Sequence, residues 1–90
     1  MITLQHEFQT HIIHAMENDK EVGNIEYNLS NNTMTITHTR AFVEGKGIGH
    51  LLAVAAIEYA NNNGMRIIPQ CSYVKALMHK TEEYQKLIAK

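Results

Sequence analysis

One cysteine and one proline are all that this 90-residue chain holds of either, and each scarcity narrows what the chain can be. A lone Cys71 excludes an internal disulfide framework, so nothing calls for an oxidising compartment. Long hydrophobic runs are missing too. The longest apolar stretch, around Leu51 to Ala60, is interrupted by Glu58 and is too short to span a bilayer. The amino-terminal MITLQHEFQTH has neither a basic n-region nor an apolar h-region, so no signal peptide is expected. Charge of one sign is also lacking: eight basic and nine acidic residues leave a net −1 and no electrostatic case for nucleic acid. What remains, 44% hydrophobic and 19% charged, is globular rather than disordered, with the length of a single domain over residues 1–90. The default expectation is a soluble cytoplasmic protein with neither a membrane nor a nucleic-acid partner.

The first half of the chain reads as an antiparallel meander. Residues 8–16, FQTHIIHAM, are β-tolerant and run into the turn-forming Glu17-Asn18-Asp19-Lys20. From Val22 to Leu29, Ile25, Tyr27 and Leu29 alternate with Asn24, Glu26 and Asn28, as a half-buried strand requires. Ser30-Asn31-Asn32 signals a hairpin, because asparagine tolerates positive φ. Thr33 to Thr39 then places Met34, Ile36 and His38 on one face and four threonines on the other.

The period changes in the second half. Ile48, Leu51, Leu52, Ala55, Ala56, Tyr59 and Ala60 recur at helical spacing over residues 48–63, and Gly64 follows as a stop. Met65 to Ile68, ahead of the only proline, Pro69, reads as a short buried strand. Ser72 to Met78 and an amphipathic piece over 82–89 complete a β-β-β-α-β-α order, an α/β sheet with a right-handed crossover near its end.

At the front of the best helix stands EGKGIGHLL, with Gly45, Gly47 and Gly49 at alternate positions. Strand, glycine turn and helix together offer free amides and the positive end of a helix dipole to an anion. The spacing is not that of a Walker A loop, because no glycine lies at the required distance before Gly45-Lys46. Nor is it a Rossmann fingerprint, whose third glycine would fall on His50.

The loop instead resembles the coenzyme A pyrophosphate loop of the GNAT superfamily of N-acetyltransferases. The element order and the following strand agree with that resemblance. It sharpens towards a minimal subgroup with a His-Thr at the end of the strand before the loop, here His38-Thr39, and a Pro-x-Cys-x-aromatic stretch, here Pro69-Gln70-Cys71-Ser72-Tyr73. A Glu-Tyr near the end, Glu83-Tyr84, is similar as well. The implied fold is a truncated GNAT domain, antiparallel strands followed by a β-α-β-α core that binds acetyl-CoA. Two features depart from the pattern: Glu44 stands where Arg or Gln is usual, and the TRAFVE stretch over 39–44 is shorter than the subgroup's.

The resemblance implies direct acetyl transfer from acetyl-CoA to an amine, which needs a base for the ammonium and help for the leaving thiolate. It assigns backbone contacts with the pantetheine arm to Phe42 and Val43, and pyrophosphate contacts to the amides of Lys46, Gly47, Gly49 and His50. His38 is the natural base, since histidine titrates near pH ~6.5; alternatively it is a core-edge histidine. Cys71 and Tyr73 are expected beside the cofactor. Cys71 is an acid, a nucleophile or a cofactor contact, or else a small core residue. Tyr73 and Tyr84 are alternative acids, and Lys46 and Lys75 candidate phosphate contacts. No metal is expected: His11 and His14 are an odd number apart on a strand and so diverge. The acceptor, a small molecule or a protein side chain, meets an open cleft, and the chain is a monomer or a weak homodimer. The second reading is a non-catalytic CoA-binding or protein-interaction module on the same fold.

Overall fold

Two hairpin turns have asparagine or aspartate at both positions that must adopt positive φ, and they set the register of the sheet. The computed structural model describes residues 1–89. Asn18 (φ 53°) and Asp19 (φ 63°) join β2, Ile12–Glu17, to β3, Lys20–Ser30; Asn31 (φ 51°) and Asn32 (φ 60°) join β3 to β4, Thr33–Ala41. Two-residue turns of this kind twist the way paired strands do. The chain then forms α1, Ile48–Asn62, β5, Arg66–Pro69, α2, Ser72–Lys80, and α3, Glu82–Gln85.

One strand escapes the sequence pattern. Residues 8–16 do not form a single strand: β1 is Thr3–Glu7, and a turn over 8–11 returns the chain into β2. β1 lies at the sheet's edge and is held by backbone pairing with β2, with every residue but His6 exposed. Little side-chain burial leaves little alternation to read. His11 (φ 59°) sits in the turn and stacks on Tyr27, while His14 lies on β2, so the two histidines do diverge.

The sheet order is β1-β2-β3-β4-β5, antiparallel except for β5, which runs parallel to β4. Cross-strand pairing puts Ile13, Ala15, Ile25, Tyr27, Met34, Ile36 and Ile67 on one face, all buried. The opposite face carries His14, Asn24, Glu26, Thr35, His38 and Arg40, none of them buried. The core therefore lies between one face of the sheet and the helices.

α1 buries Ile48, Leu52, Ala53, Ala56, Ile57 and Ala60. This stripe is rotated from the expected one: Leu51 is exposed, and Ala55 and Tyr59 are only partly buried. Alanines at 53, 56 and 60 let the helix lie close to the sheet, turning Ala53 and Ile57 inward. The helix ends as expected at Gly64 (φ 68°), whose amide bonds Asn61 O while the Met65 amide bonds Ala60 O. Those two bonds make a Schellman cap. The amphipathic piece over 82–89 is helical only to Gln85; Leu87 and Ala89 then bond Ile67 and cover the outer edge of β5.

Gly23 on β3 seats the first turn of α1. A Cβ there would lie 2.5 Å from Ile48 Cγ2 and 2.6 Å from the Arg40 carbonyl oxygen. Because one of these neighbours is backbone, no rotamer change relieves the clash. Gly23→Ala should lower unfolding free energy by about 1–3 kcal/mol, the usual range for overpacking, as read by urea denaturation.

On the exposed face His14 binds Glu21 on β3 and, at 3.3 Å, Glu7 on β1. The Glu21 hydrogen bond is the largest reason that the His14 pKa lies above its ordinary 6.5; Glu21 is lowered chiefly by the same bond, and Glu7 chiefly by its hydrogen bond from Thr10 and then by His14. A raised histidine stabilises the fold fully below pH ~6.5 and ceases to do so as pH climbs through its folded value. Wild-type stability minus that of His14→Gln should therefore shrink with rising pH above 6.5. Denaturation at several pH values, with the His14 ring titrated by NMR, measures this; a difference that is flat with pH would remove the role.

Candidate active-site cleft

β4 and β5 stay together only from Thr33 to Ile36, paired with Arg66 to Pro69. There the ladder ends. The Ile36 carbonyl accepts both the Gln70 amide (3.1 Å) and the Cys71 amide (3.0 Å), turning the chain away into α2. At the same place the pairing of β4 with β3 slips. Tyr27 faces Ile36, but Glu26 faces His38, so Thr37 is the extra residue of a β-bulge.

The bulge reverses the side-chain parity of the rest of β4. Alternation predicts His38 on the Met34/Ile36 face; instead His38 pairs with Glu26 on the exposed face. Thr39, opposite the buried Ile25, turns inward in its place. Beside His38, Glu26 forms an ion pair with Arg40, which also donates to Asn24 Oδ1 at 3.0 Å.

Beyond the parting lies a cleft of ≈ 360 Å³ between the end of β4, the glycine turn and the front of α2. Gly45 (φ 78°) and Gly47 (φ 65°) hold the turn in the left-handed region, where a Cβ is disfavoured although neither position is crowded. Gly47 is the N-cap of α1 and supplies no side-chain cap. The first α1 bond runs from the Leu51 amide to Gly47 O (3.0 Å), so the amides of Ile48, Gly49 and His50 have no acceptor within the helix. They carry the positive end of the helix dipole. Gly49 serves a third purpose. Its backbone is ordinary helix, and an added Cβ would stand 3.6 Å from the Tyr73 ring and 3.9 Å from Thr39 Cγ2, within the cleft. The missing side chain leaves room for something else.

Of the residues expected at the cofactor, Val43, Gly47, Gly49, His50 and Tyr73 line this cleft. Phe42 does not. Its amide is committed to Val22 O (2.8 Å), and its side chain borders a separate hollow of ≈ 260 Å³ with Glu17, Lys20 and Val22. Lys46 is also turned away, its Nζ bonded to Glu17 Oε1 at 2.7 Å; this hydrogen bond is the main reason the Glu17 pKa is lowered. Thr39, Ala41, Glu44, Gly45 and Ile48 complete the lining. Tyr84 packs against the core, while Lys75 is exposed on α2.

Cys71 reaches the cleft through Thr39. It is the N-cap residue of α2, half-buried, and its Sγ donates to Thr39 Oγ1 at 3.3 Å. Burial pushes the thiol pKa up. The Thr39 hydroxyl and the amides of Val74, Tyr73 and Thr39 outweigh it, and the net shift is downward. Although the sulfur closes no formal cap, the front of α2 favours its charged form.

A strand that parts from its parallel neighbour, a glycine turn and an uncapped helix define an α/β protein with an open strand edge beside a ready anion site. Comparison with known proteins agrees. The GCN5-related N-acetyl-transferase family profile matches residues 10–87, and the chain belongs to that family. Its fold is similar to the solution structure of a GCN5-like candidate N-acetyltransferase from Staphylococcus aureus, with TM-score 0.74 and 28% identity over 99% of this chain and 87% of that one. It also resembles the PaiA N-acetyltransferase from Thermoplasma acidophilum solved with coenzyme A (TM-score 0.60, 20% identity, 77% of this chain). A candidate GNAT acetyltransferase from Desulfovibrio desulfuricans gives the same TM-score at 15% identity. The chain spans about half the length of these last two proteins, 48% and 52%, and they bear on the fold alone. The family's general chemistry is acyl-CoA-dependent acetyl transfer, and no helix of the described residues is long and apolar enough to cross a membrane.

Two alanine substitutions separate the glycines' roles. Gly47→Ala should destabilise the protein by about 1–2 kcal/mol, the cost of a left-handed L-residue. Gly49→Ala should leave stability unchanged or raise it by up to about 1 kcal/mol through helix propensity. Thermal unfolding of both variants distinguishes the two cases.

Proposed function

We propose that this protein is an acetyl-CoA-dependent N-acetyltransferase that transfers the acetyl group directly to an amine. The observation that carries the reading is one cleft joining an open strand edge to an uncapped helix N-terminus through a left-handed glycine turn. The residues fit coenzyme A: amides of Lys46, Gly47, Gly49 and His50 would hold the pyrophosphate. The β4 edge and Val43 would hold the pantetheine arm, and the Tyr73 ring would close over the space left by Gly49. Phe42 contributes no amide, because Val22 already takes it.

Acetyl-CoA supplies a thioester that an amine can attack, with expulsion of the CoA thiol. The chain's residues divide the proton traffic between the two faces of the parted sheet. His38, on the exposed face, takes a proton from an acceptor ammonium arriving from solvent. Cys71, on the helix side, gives its proton to the leaving sulfur. Among the described residues, nothing roofs the face around His38, so the acceptor is a small amine or a protein side chain meeting an open site. An unpaired cysteine suits the cytoplasm, and the exposed β1 edge suits a monomer or a weak homodimer.

Glu44 in the cleft and Lys46 held by Glu17 favour a second reading, a CoA-binding module without turnover. Calorimetric titration with acetyl-CoA and CoA, against ATP and NAD as controls, tests binding. An amine-acetylation assay then separates enzyme from module. Saturable acetyl-CoA binding, lost in Gly49→Ala, supports the cradle; its absence at millimolar ligand refutes it. His38→Gln and Cys71→Ala should each lower kcat about 100-fold or more while leaving CoA binding intact. Undiminished turnover in both removes those roles.

Neutralising the acid beside the anion site should help binding. Glu44→Gln should tighten CoA roughly two- to fivefold at low salt, the scale of one exposed charge interaction, with the gain shrinking as salt rises.

A further inference from the structure

We infer that Thr39 is the positioning residue for the Cys71 thiol: its hydroxyl holds the sulfur at the cleft and stabilises the thiolate that Cys71 becomes after giving up its proton. The inference rests on the reading of Cys71 as the proton donor in acetyl transfer. Thr39 belongs to a strand and Cys71 to the start of a helix, 32 residues apart, and the two meet at 3.3 Å. The contact exists because of the bulge. In a regular β4, Thr39 would share a face with Thr35 and Thr37, away from Cys71; one extra residue at Thr37 rolls it inward, opposite Ile25.

The geometry gives the threonine two separate tasks. Its methyl carbon lies 3.9 Å from where a Gly49 Cβ would stand, so it forms part of the cleft wall. Its hydroxyl is the only side-chain group among the described residues that hydrogen-bonds Cys71 Sγ. The side chains of Glu44, His50 and Tyr73 share the cleft without bonding the sulfur, and His38 lies on the other face. With the thiol protonated, S–H donates to Thr39 Oγ1. When the S–H bond breaks and the proton passes to the departing CoA sulfur, the sulfur becomes an acceptor. The Thr39 hydroxyl can then rotate and donate to it, as a hydroxyl with one proton and two lone pairs allows. The second proton, which the nitrogen sheds on being acylated, passes through solvent to the thiolate and restores the thiol. The downward shift of the thiol agrees with this arrangement, with the Thr39 hydroxyl the first of the groups opposing burial.

The test needs no substrate. Alkylation of Cys71 by iodoacetamide reports the thiolate, and Cys71 is the sole thiol in the chain. Thr39→Val keeps the shape and removes the hydroxyl. It should slow alkylation at pH 7 by about tenfold, the loss of one hydrogen bond to a charged group, and move the rate–pH profile to higher pH. Thr39→Ser should restore the wild-type profile, and circular dichroism should show all three proteins equally folded. In the acetylation assay, Thr39→Val should lower kcat and leave KM for acetyl-CoA unchanged. A Thr39→Val profile superimposable on wild type overturns the positioning role whatever the activity. Failure of the wild-type protein to bind acetyl-CoA overturns instead the function on which the role depends, and the alkylation profile tells the two failures apart.

Discussion

Everything that distinguishes this sheet as a site depends on one acceptor, the carbonyl of Ile36. By taking the amides of both Gln70 and Cys71, it ends the β4–β5 ladder and starts α2 in the same step. A sheet normally satisfies its backbone groups strand against strand, and leaving an edge open inside a fold costs free energy unless a ligand or water completes it. Here the open edge is kept short and follows directly on a buried pair, Met34 and Ile36, which fixes β4 against β5 up to the parting. The bulge at Thr37 follows directly on Ile36, where the β4–β5 ladder ends, so opening and parity reversal act at one locus.

How much of this could be read from the sequence follows from which interactions leave a pattern. The I′ turns at Asn18-Asp19 and Asn31-Asn32, the α1 stop at Gly64 and the strand alternation of Ile25 and Tyr27 are all local, and the chain states them openly. The glycine turn, and the resemblance built on it, were legible for the same reason. β1 was not, since an edge strand needs no apolar face. Nor was the bulge, because a threonine-rich strand looks alike in either register; the parity argument therefore put His38 where Thr39 stands. The Lys46 side chain and the Phe42 amide are taken by partners distant in sequence, Glu17 and Val22, which no motif marks.

The glycines show how different constraints select the same residue. Gly23 is glycine because Ile48 and the Arg40 carbonyl leave no volume for a methyl group. Gly45 and Gly47 are glycine for their dihedrals, with open space around them. Gly49 has neither excuse: helical backbone and ordinary contact distances would accept alanine, which helices prefer. A residue that the free fold does not require is explained by what the cleft must admit. This makes Gly49 more informative about a ligand than the two turn glycines beside it.

The cleft also constrains what kind of ligand would satisfy it. With Lys46 engaged by Glu17 and an acid, Glu44, among the lining residues, little positive side-chain charge is left to attract a phosphate. Recognition then falls on the amides at the front of α1, which act over short range and demand a close-fitting anion. A few ångströms away, the strand edge demands something different, a flexible arm with amide groups that can stand in for the β5 that has left. A nucleotide alone meets the first demand but brings no peptide-like arm for the second. Coenzyme A carries a pyrophosphate, two amide links in its arm and a thiol at the far end, in that order. Under the proposed function its counterparts here would follow the same order, from the glycine turn along β4 to Thr39 and, behind it, Cys71.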